Sequence, residues 1–222
     1  MIRPGDVFLL ADNVGIAAFA ITGMLTGIRH RLDIIGILTA GYLTAFGGGI
    51  MRDAMLGRIP YVFQDPVPSS VATISVLLVL AFYFMKKGGR ASRIEQSRIT
   101  IFFDAIGLSS FSIAAALLAI DRDLNLFGVV WIAFITATGG GMVRDMLLNR
   151  VPKLLFTEFY GTISILIGLL LYLLSRYDLH RNEGVLIVIF VSGVLLRLAA
   201  YRWNWSLPVP DSSGSTDDRS EN

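Results

Sequence analysis

Gly47-Gly48-Gly49-Ile50-Met51-Arg52-Asp53 returns as Gly139-Gly140-Gly141-Met142-Val143-Arg144-Asp145, and this doubled stretch decides how the chain is read. Each copy places three glycines inside a long apolar segment, with an Arg-Asp pair two residues on. Glycine costs about 1 kcal/mol relative to alanine inside a helix. An ionisable side chain at membrane depth costs about 2.5 kcal/mol or more. A costly pattern kept twice points to a use.

Composition sets the solvent. The chain has 222 residues, 54% of them hydrophobic and 16% charged, and its mean hydropathy is +0.65. Seven apolar runs stand out: Val7–Ile28, Leu32–Met55, Val67–Met85, Ile99–Ile120, Leu124–Leu147, Phe156–Leu174 and Gly184–Tyr201. Runs near the ~20 residues that cross a bilayer as a helix predict an all-α polytopic membrane protein with seven transmembrane helices. Barrel strands would alternate instead. The N-terminus has no basic region leading to a short apolar stretch and a small-residue cleavage site, so the first run reads as a span.

The repeat extends far beyond the heptapeptide. A shift of 92 positions aligns Asp12, Gly15 and Phe19 with Asp104, Gly107 and Phe111. It also aligns Thr44 with Thr136, Arg58 with Arg150 and Pro60 with Pro152. After the prolines the offset falls to 89, and Thr73-Ile74-Ser75 meets Thr162-Ile163-Ser164. The chain is therefore two three-helix repeats, 7–85 and 99–174, plus an extra helix over 184–202. Three crossings leave the chain on the opposite side of the membrane, so the second repeat must be inverted. Inverted repeats place a pathway near the midplane between the halves. Residues 1–205 form one membrane domain, and 206–222, rich in Ser, Pro and Asp, read as a disordered cytoplasmic tail.

Orientation follows from basic residues. The first, third and fifth loops and the C-terminus carry most of the Lys and Arg, led by the loop from Lys86 to Arg98. That side is expected to be cytoplasmic, which puts the N-terminus outside. Trp203 and Trp205 read as an interfacial anchor. The net charge of +2 and its loop placement fit a membrane protein better than a nucleic-acid binder. With no cysteine and only His30 and His180, both in polar loops, the sequence offers no metal site and no cofactor.

Two readings of the glycine triplets stand. The backbone can break there, turning freed carbonyls toward a cation and amides toward an anion. Glycines at helix interfaces also serve close packing. Recurrence with Arg-Asp favours the break, with Gly47, Gly48, Gly49, Gly139, Gly140 and Gly141 lining an ion pathway. Thr44, Thr136 and Thr138 could add neutral oxygens or simply bond their own helix. Arg52 and Asp53 point about 100° apart on a helix and are not expected to pair. Depth instead predicts Asp12–Arg52 at the outer level and Asp104–Arg144 at the inner level, as gates or structural pins; the alternative is that each arginine snorkels. Asp53 and Asp145 read as mouth carboxylates or as caps. Arg197, on the unrepeated helix, is expected to snorkel to the inner interface. Pro60 and Pro152 end the broken helices.

The doubled Gly-Gly-Gly-x-x-Arg-Asp, followed by Arg-x-Pro, resembles the bacterial "glycine transporter domain" membrane proteins. These are similar to the prokaryotic branch of the trimeric intracellular cation (TRIC) channel superfamily, and the resemblance covers about residues 5–202. It implies seven helices, the second and fifth broken at glycines, and a pore in each protomer of a homotrimer in a bacterial or archaeal plasma membrane. The implied activity is passive movement of monovalent cations such as potassium, with membrane lipid as the surrounding partner. Animal members carry Lys-Glu-Val-x-Arg-x-x-Lys at the broken helix; this chain has Met-Arg-Asp and Val-Arg-Asp, so their lipid and calcium regulation is not implied. A secondary transporter of glycine or another small solute is the alternative. A membrane enzyme is disfavoured, because no His, Cys or acidic cluster makes a catalytic set.

Overall fold

The computed structural model describes residues 4–85, 93–152 and 159–205. Among them are seven helices: α1 (Pro4–Arg29), α2 (Ile34–Met55), α3 (Pro66–Met85), α4 (Arg93–Ile120), α5 (Leu126–Leu147), α6 (Tyr160–Ser175) and α7 (Glu183–Arg202). Six are long and apolar enough to cross a membrane, and α6 is a shorter apolar helix. The expected tail over 206–222, most of the basic third loop and the start of the sixth apolar run lie outside the described residues.

The repeat is visible in how the helices start and stop. Asp33 caps α2 by accepting from the Gly36 amide at 2.7 Å. Asn125, 92 positions on, caps α5 through Gly128 at 2.9 Å. A side-chain acceptor at this position satisfies an amide the helix leaves free. Both helices then end alike. Gly57 and Asn149, again 92 apart, take left-handed backbone with φ of 65° and 52°. The amides of Arg58 and Arg150 return to the carbonyls of Asp53 and Asp145 at 3.0 and 2.9 Å.

Helices α1 and α4 form the centre. Phe19 lies against Gly107, and Phe111 against Gly15; the two rings meet edge to face with centroids 5.1 Å apart. Each contact is the other shifted by 92 in both partners. Such reciprocity requires a two-fold operator. Position 15 meets 111 while 19 meets 107, so α1 and α4 run antiparallel, as an inverted repeat demands. Around them the core is made of small residues, Ala105, Ala114, Ala115, Ala116 and Ala119 all being fully buried. Small side chains let helix backbones approach where lipid gives no hydrophobic drive to associate. Helices α3 and α7 are the most peripheral of the spans, and α3 turns Leu77, Leu78, Phe82 and Phe84 outward. Exposed apolar chains are the favourable lining against lipid tails.

The expected breaks in α2 and α5 are absent. Both helices run without interruption through their glycine triplets, and among the described residues Gly57 is the only glycine with positive φ. Close packing accounts for this. The triplets are the surfaces on which α2 and α5 cross, and an intact helix keeps its backbone hydrogen bonds internal, as lipid requires.

Candidate functional site

The crossing of α2 and α5 lies on the same pseudo-two-fold axis. A methyl group added to Gly48 would collide with the Thr136 carbonyl, and one added to Gly140 with the Thr44 carbonyl. At Gly47 it would stand 3.0 Å from the Gly140 Cα, and at Gly139 2.6 Å from the Met51 sulfur. Gly49 and Gly141 differ: their nearest neighbours are the guanidinium groups of Arg52 and Arg144, each at 3.7 Å. So two glycines of each triplet serve the crossing, and at the third a methyl group would only touch an arginine at ordinary contact distance. Thr44, Thr136 and Thr138 are buried, and each hydroxyl donates to the carbonyl one turn back, Ala40, Ile132 and Phe134, at 2.6, 2.6 and 2.7 Å.

At one end of the crossing the structure brings Asp12 and Arg52 together. Arg52 Nη1 donates to Asp12 Oδ1 at 2.5 Å. Arg52 Nε also donates to Asp53 Oδ1 at 2.9 Å. This corrects the expectation that neighbouring Arg52 and Asp53 point apart: the long arginine stem folds back, so backbone direction does not fix where the guanidinium lands. Asp53 is fully engaged. Its Oδ2 accepts the Tyr61 amide at 2.8 Å, and Arg58 Nε stands 3.5 Å from Oδ1. Phe8 covers the Arg52 guanidinium at 5.2 Å. Asp12, Arg52 and Asp53 are 1–2% exposed, so neither snorkelling nor a solvent-facing mouth carboxylate describes them. A charged group removed from water this completely is tolerable only with its partners in place. A cavity of about 10 Å³ beside Gly49, Ile50 and Arg52 leaves at most the space of one water.

The other end has the same residues and different partners. Arg144 does not reach Asp104 among the described contacts. Its Nε and Nη2 both donate to Asp145 Oδ1, at 2.9 and 2.7 Å, and its buried Nη1 has no hydrogen-bond partner. Asp104 Oδ1 instead accepts from the Tyr160 hydroxyl at 3.1 Å, and its Oδ2 lies 3.9 Å from Arg197 Nε. The Arg197 guanidinium sits over the Tyr160 ring at 4.8 Å. Arg197 is 5% exposed, which corrects its expected snorkelling: α7 delivers it inward to a carboxylate. Asp145, 5% exposed, is no mouth carboxylate either. Helix α7 has no copy in the first repeat, and Arg197 is what makes the two ends unlike. Tyr160 went unnoticed in the sequence because the repeat gives it no counterpart. Arg197 carried a signal, a charge deep in an apolar helix, but not its direction.

Outside the spans, Tyr61 is pushed up to about 12, first by burial and then by its hydrogen bond to Asp65. The amide of Val67 and the Tyr61 hydroxyl hold Asp65 below the ordinary carboxylate value.

Known proteins share both the repeat and the fold. The family profile described as "Glycine transporter" matches twice, over residues 9–87 and 101–176, once on each three-helix repeat. The UPF0126 membrane protein YvgT of Bacillus subtilis (strain 168) is 32% identical over 202 residues, covering 90% of this chain and 94% of that protein. The UPF0126 inner membrane protein YadS of Escherichia coli (strain K12) is 33% identical over 199 residues, 89% and 93% of the two chains. Among solved structures, a prokaryotic TRIC channel crystallised in 0.5 M KCl superposes with a TM-score of 0.78 at 32% identity, over 90% of this chain and 98% of that one. The TRIC trimeric intracellular cation channel orthologue from Rhodobacter sphaeroides gives 0.76 at 30% identity, over 90% and 99%. The chain belongs to the glycine-transporter (UPF0126) family of membrane proteins and, by fold, to the TRIC-type superfamily.

Proposed function

We propose that this protein is a passive channel for monovalent cations of the potassium type, with one pathway through each protomer between the two repeats. The observation that carries the reading is a fully buried ion centre at each end of the α2–α5 crossing, on a fold shared with TRIC cation channels. Charges that cost this much at membrane depth mark ion pathways. The described form is the shut one: the glycine crossing is tight, and Asp12–Arg52–Asp53 closes one end. Opening separates α2 from α5 and exposes Gly47, Gly48, Gly49, Gly139, Gly140 and Gly141. Thr44, Thr136 and Thr138 then line the widened passage with oxygens. Asp12, Arg52, Asp53, Asp104, Arg144 and Asp145 pin the helix ends in the shut form and re-pair on opening. The solved relatives are channels, a non-enzyme class.

The same reading places residues 1–205 in the plasma membrane as one domain, N-terminus outside and C-terminus with its 206–222 tail in the cytoplasm. It assigns a homotrimer, after the trimeric relative, with membrane lipid around it. Purified protein in a planar bilayer with a potassium gradient tests the activity. Discrete current steps reversing near the potassium potential are expected. Electrical silence, with saturable exchange of labelled glycine in vesicles, would overturn the channel in favour of a small-solute transporter.

A further inference from the structure

A cavity of about 720 Å³ opens between the turn after α4 and the turn after α6, lined by Asp121, Asp123, Tyr172, Ser175, Asp178 and Arg181 among others. It belongs to neither ion centre. Arg181 Nη2 ties the two turns by bonding Asp121 Oδ1 at 2.7 Å. His180 stands in the wall on the single helical turn Leu179–Arg181. It is 6% exposed, and its Nδ1 is buried without a hydrogen-bond partner.

In imidazolium both ring nitrogens are donors. Whichever nitrogen carries the single proton of the neutral ring, protonation leaves a charged N–H at Nδ1 with no acceptor. Such a group costs far more than an unmade neutral bond. Sharing the cavity with the ring are Asp121 and Asp123 from the α4–α5 turn, Tyr172 from α6, and Asp178 and Arg181 from its own turn, and of these Arg181, Asp121 and Asp178 act on its charge. Glu183 of α7 lines a different groove, with Leu10 and Phe190. We propose that His180 is a proton-operated latch: the neutral ring seats the α6–α7 turn against the α4–α5 turn, and a second proton unseats it toward Asp121 or Asp178, loosening the Arg181–Asp121 tie. Burial, and next Arg181, already hold His180 below the ordinary imidazole value, against the pull of Asp121 and Asp178. That direction is the one a latch closed in the neutral form requires. Net negative charge in the cavity falls when the ring is charged, so acid on this face reduces cation access; this consequence alone rests on the channel reading.

The test uses the full chain in lipid nanodiscs. Hydrogen exchange over residues 176–183 is measured near pH 7.5 and near pH 5, the range in which histidine titrates, for the natural protein and His180→Gln. Ring NMR of the natural protein follows His180 directly. Expected is a midpoint below the free value of about 6.5, and a rise in the intrinsic-rate-corrected opening of about tenfold for each pH unit of that displacement. His180→Gln should show no such rise. A midpoint at the free value, or acid opening that is absent in the natural protein or equal in His180→Gln, would overturn the latch. Should the variant misfold, the natural protein's titration and exchange still decide. None of these readouts needs conduction, so a silent protein would fell the channel and leave the latch to its own result.

Discussion

Arg52 of α2 reaches Asp12 of α1 at 2.5 Å, forty residues back along the chain, and both side chains are out of solvent. The bond staples the first two helices: without it Asp12 would be a lone buried carboxylate and Arg52 would keep only Asp53. Breaking a buried pair by removing one partner costs about 3–5 kcal/mol. Asp12→Ala should therefore lower the melting temperature in detergent well beyond an exposed control. The double variant Asp12→Ala with Arg52→Met should recover part of the loss, because Asp53 keeps Arg58 and the Tyr61 amide. Fully additive losses would mean the two residues do not act as a pair.

Arg197 bears on a similar comparison at the opposite end. It is buried against Asp104 and Tyr160, whereas Arg181 bonds Asp121 with half its side chain exposed. Exposed pairs contribute about 0–1 kcal/mol. Thermal melts should show Arg197→Ala costing several-fold more than Arg181→Ala. Equal costs would return Arg197 to the interface.

The glycine crossing makes a positional prediction. Gly48→Ala and Gly140→Ala both push a methyl into a facing carbonyl. Overpacking of this kind costs about 1–3 kcal/mol or more, and the two variants should behave alike because the two-fold relates them. Gly49→Ala meets nothing nearer than 3.7 Å and gains helix propensity, so it should be neutral or mildly stabilising. Melts of the three variants check this. A Gly49→Ala loss equal to that of Gly48→Ala would mean that the whole triplet, not two of its glycines, is needed for packing.

Much of this was legible before any coordinates. Seven apolar helices, the inversion of the repeat and the Asp12–Arg52 contact follow from run length, an odd helix count per repeat and the depth of two charges. The partner of Asp104 was not legible, because symmetry argued for Arg144 and Arg197 breaks the symmetry from a helix that the repeat leaves out. The unbroken glycine segments were missed for a different reason. A triplet looks the same in sequence whether its missing side chains free the backbone or admit a neighbour. Only the facing carbonyls of Thr44 and Thr136 decide, and they lie on elements 92 positions away. Asp53 misled because sequence distance hid the Tyr61 amide that it accepts.

Tyr61 predicts an alkaline limit. Its folded-state value is raised to about 12 against about 10 for a free phenol. A raised acid favours the fold in its neutral form, so this contribution is whole below about pH 10 and is lost as pH climbs toward about 12. Tyr61→Phe should flatten that part of the stability profile and, at neutral pH, lose the hydroxyl's bond to Asp65. Phenolate absorbance of the natural protein should show a late-titrating component that shrinks in Tyr61→Phe.

The two arginines of the repeated motif should tolerate lysine differently. Arg52 spreads its donors over two carboxylates, Nη1 to Asp12 and Nε to Asp53, with Phe8 over its plane. A lysine ammonium is a compact charge without that fork, so Arg52→Lys must give up one carboxylate or hold both poorly. Arg144 puts two donors on one oxygen of Asp145 and leaves Nη1 without a partner. A single ammonium can replace that contact and relieve the unmatched donor. Arg52→Lys should therefore destabilise the protein markedly more than Arg144→Lys in paired thermal melts. The reverse order would mean that Arg144, not Arg52, is the more tightly held of the two, and that the unpartnered nitrogen finds an acceptor in the membrane.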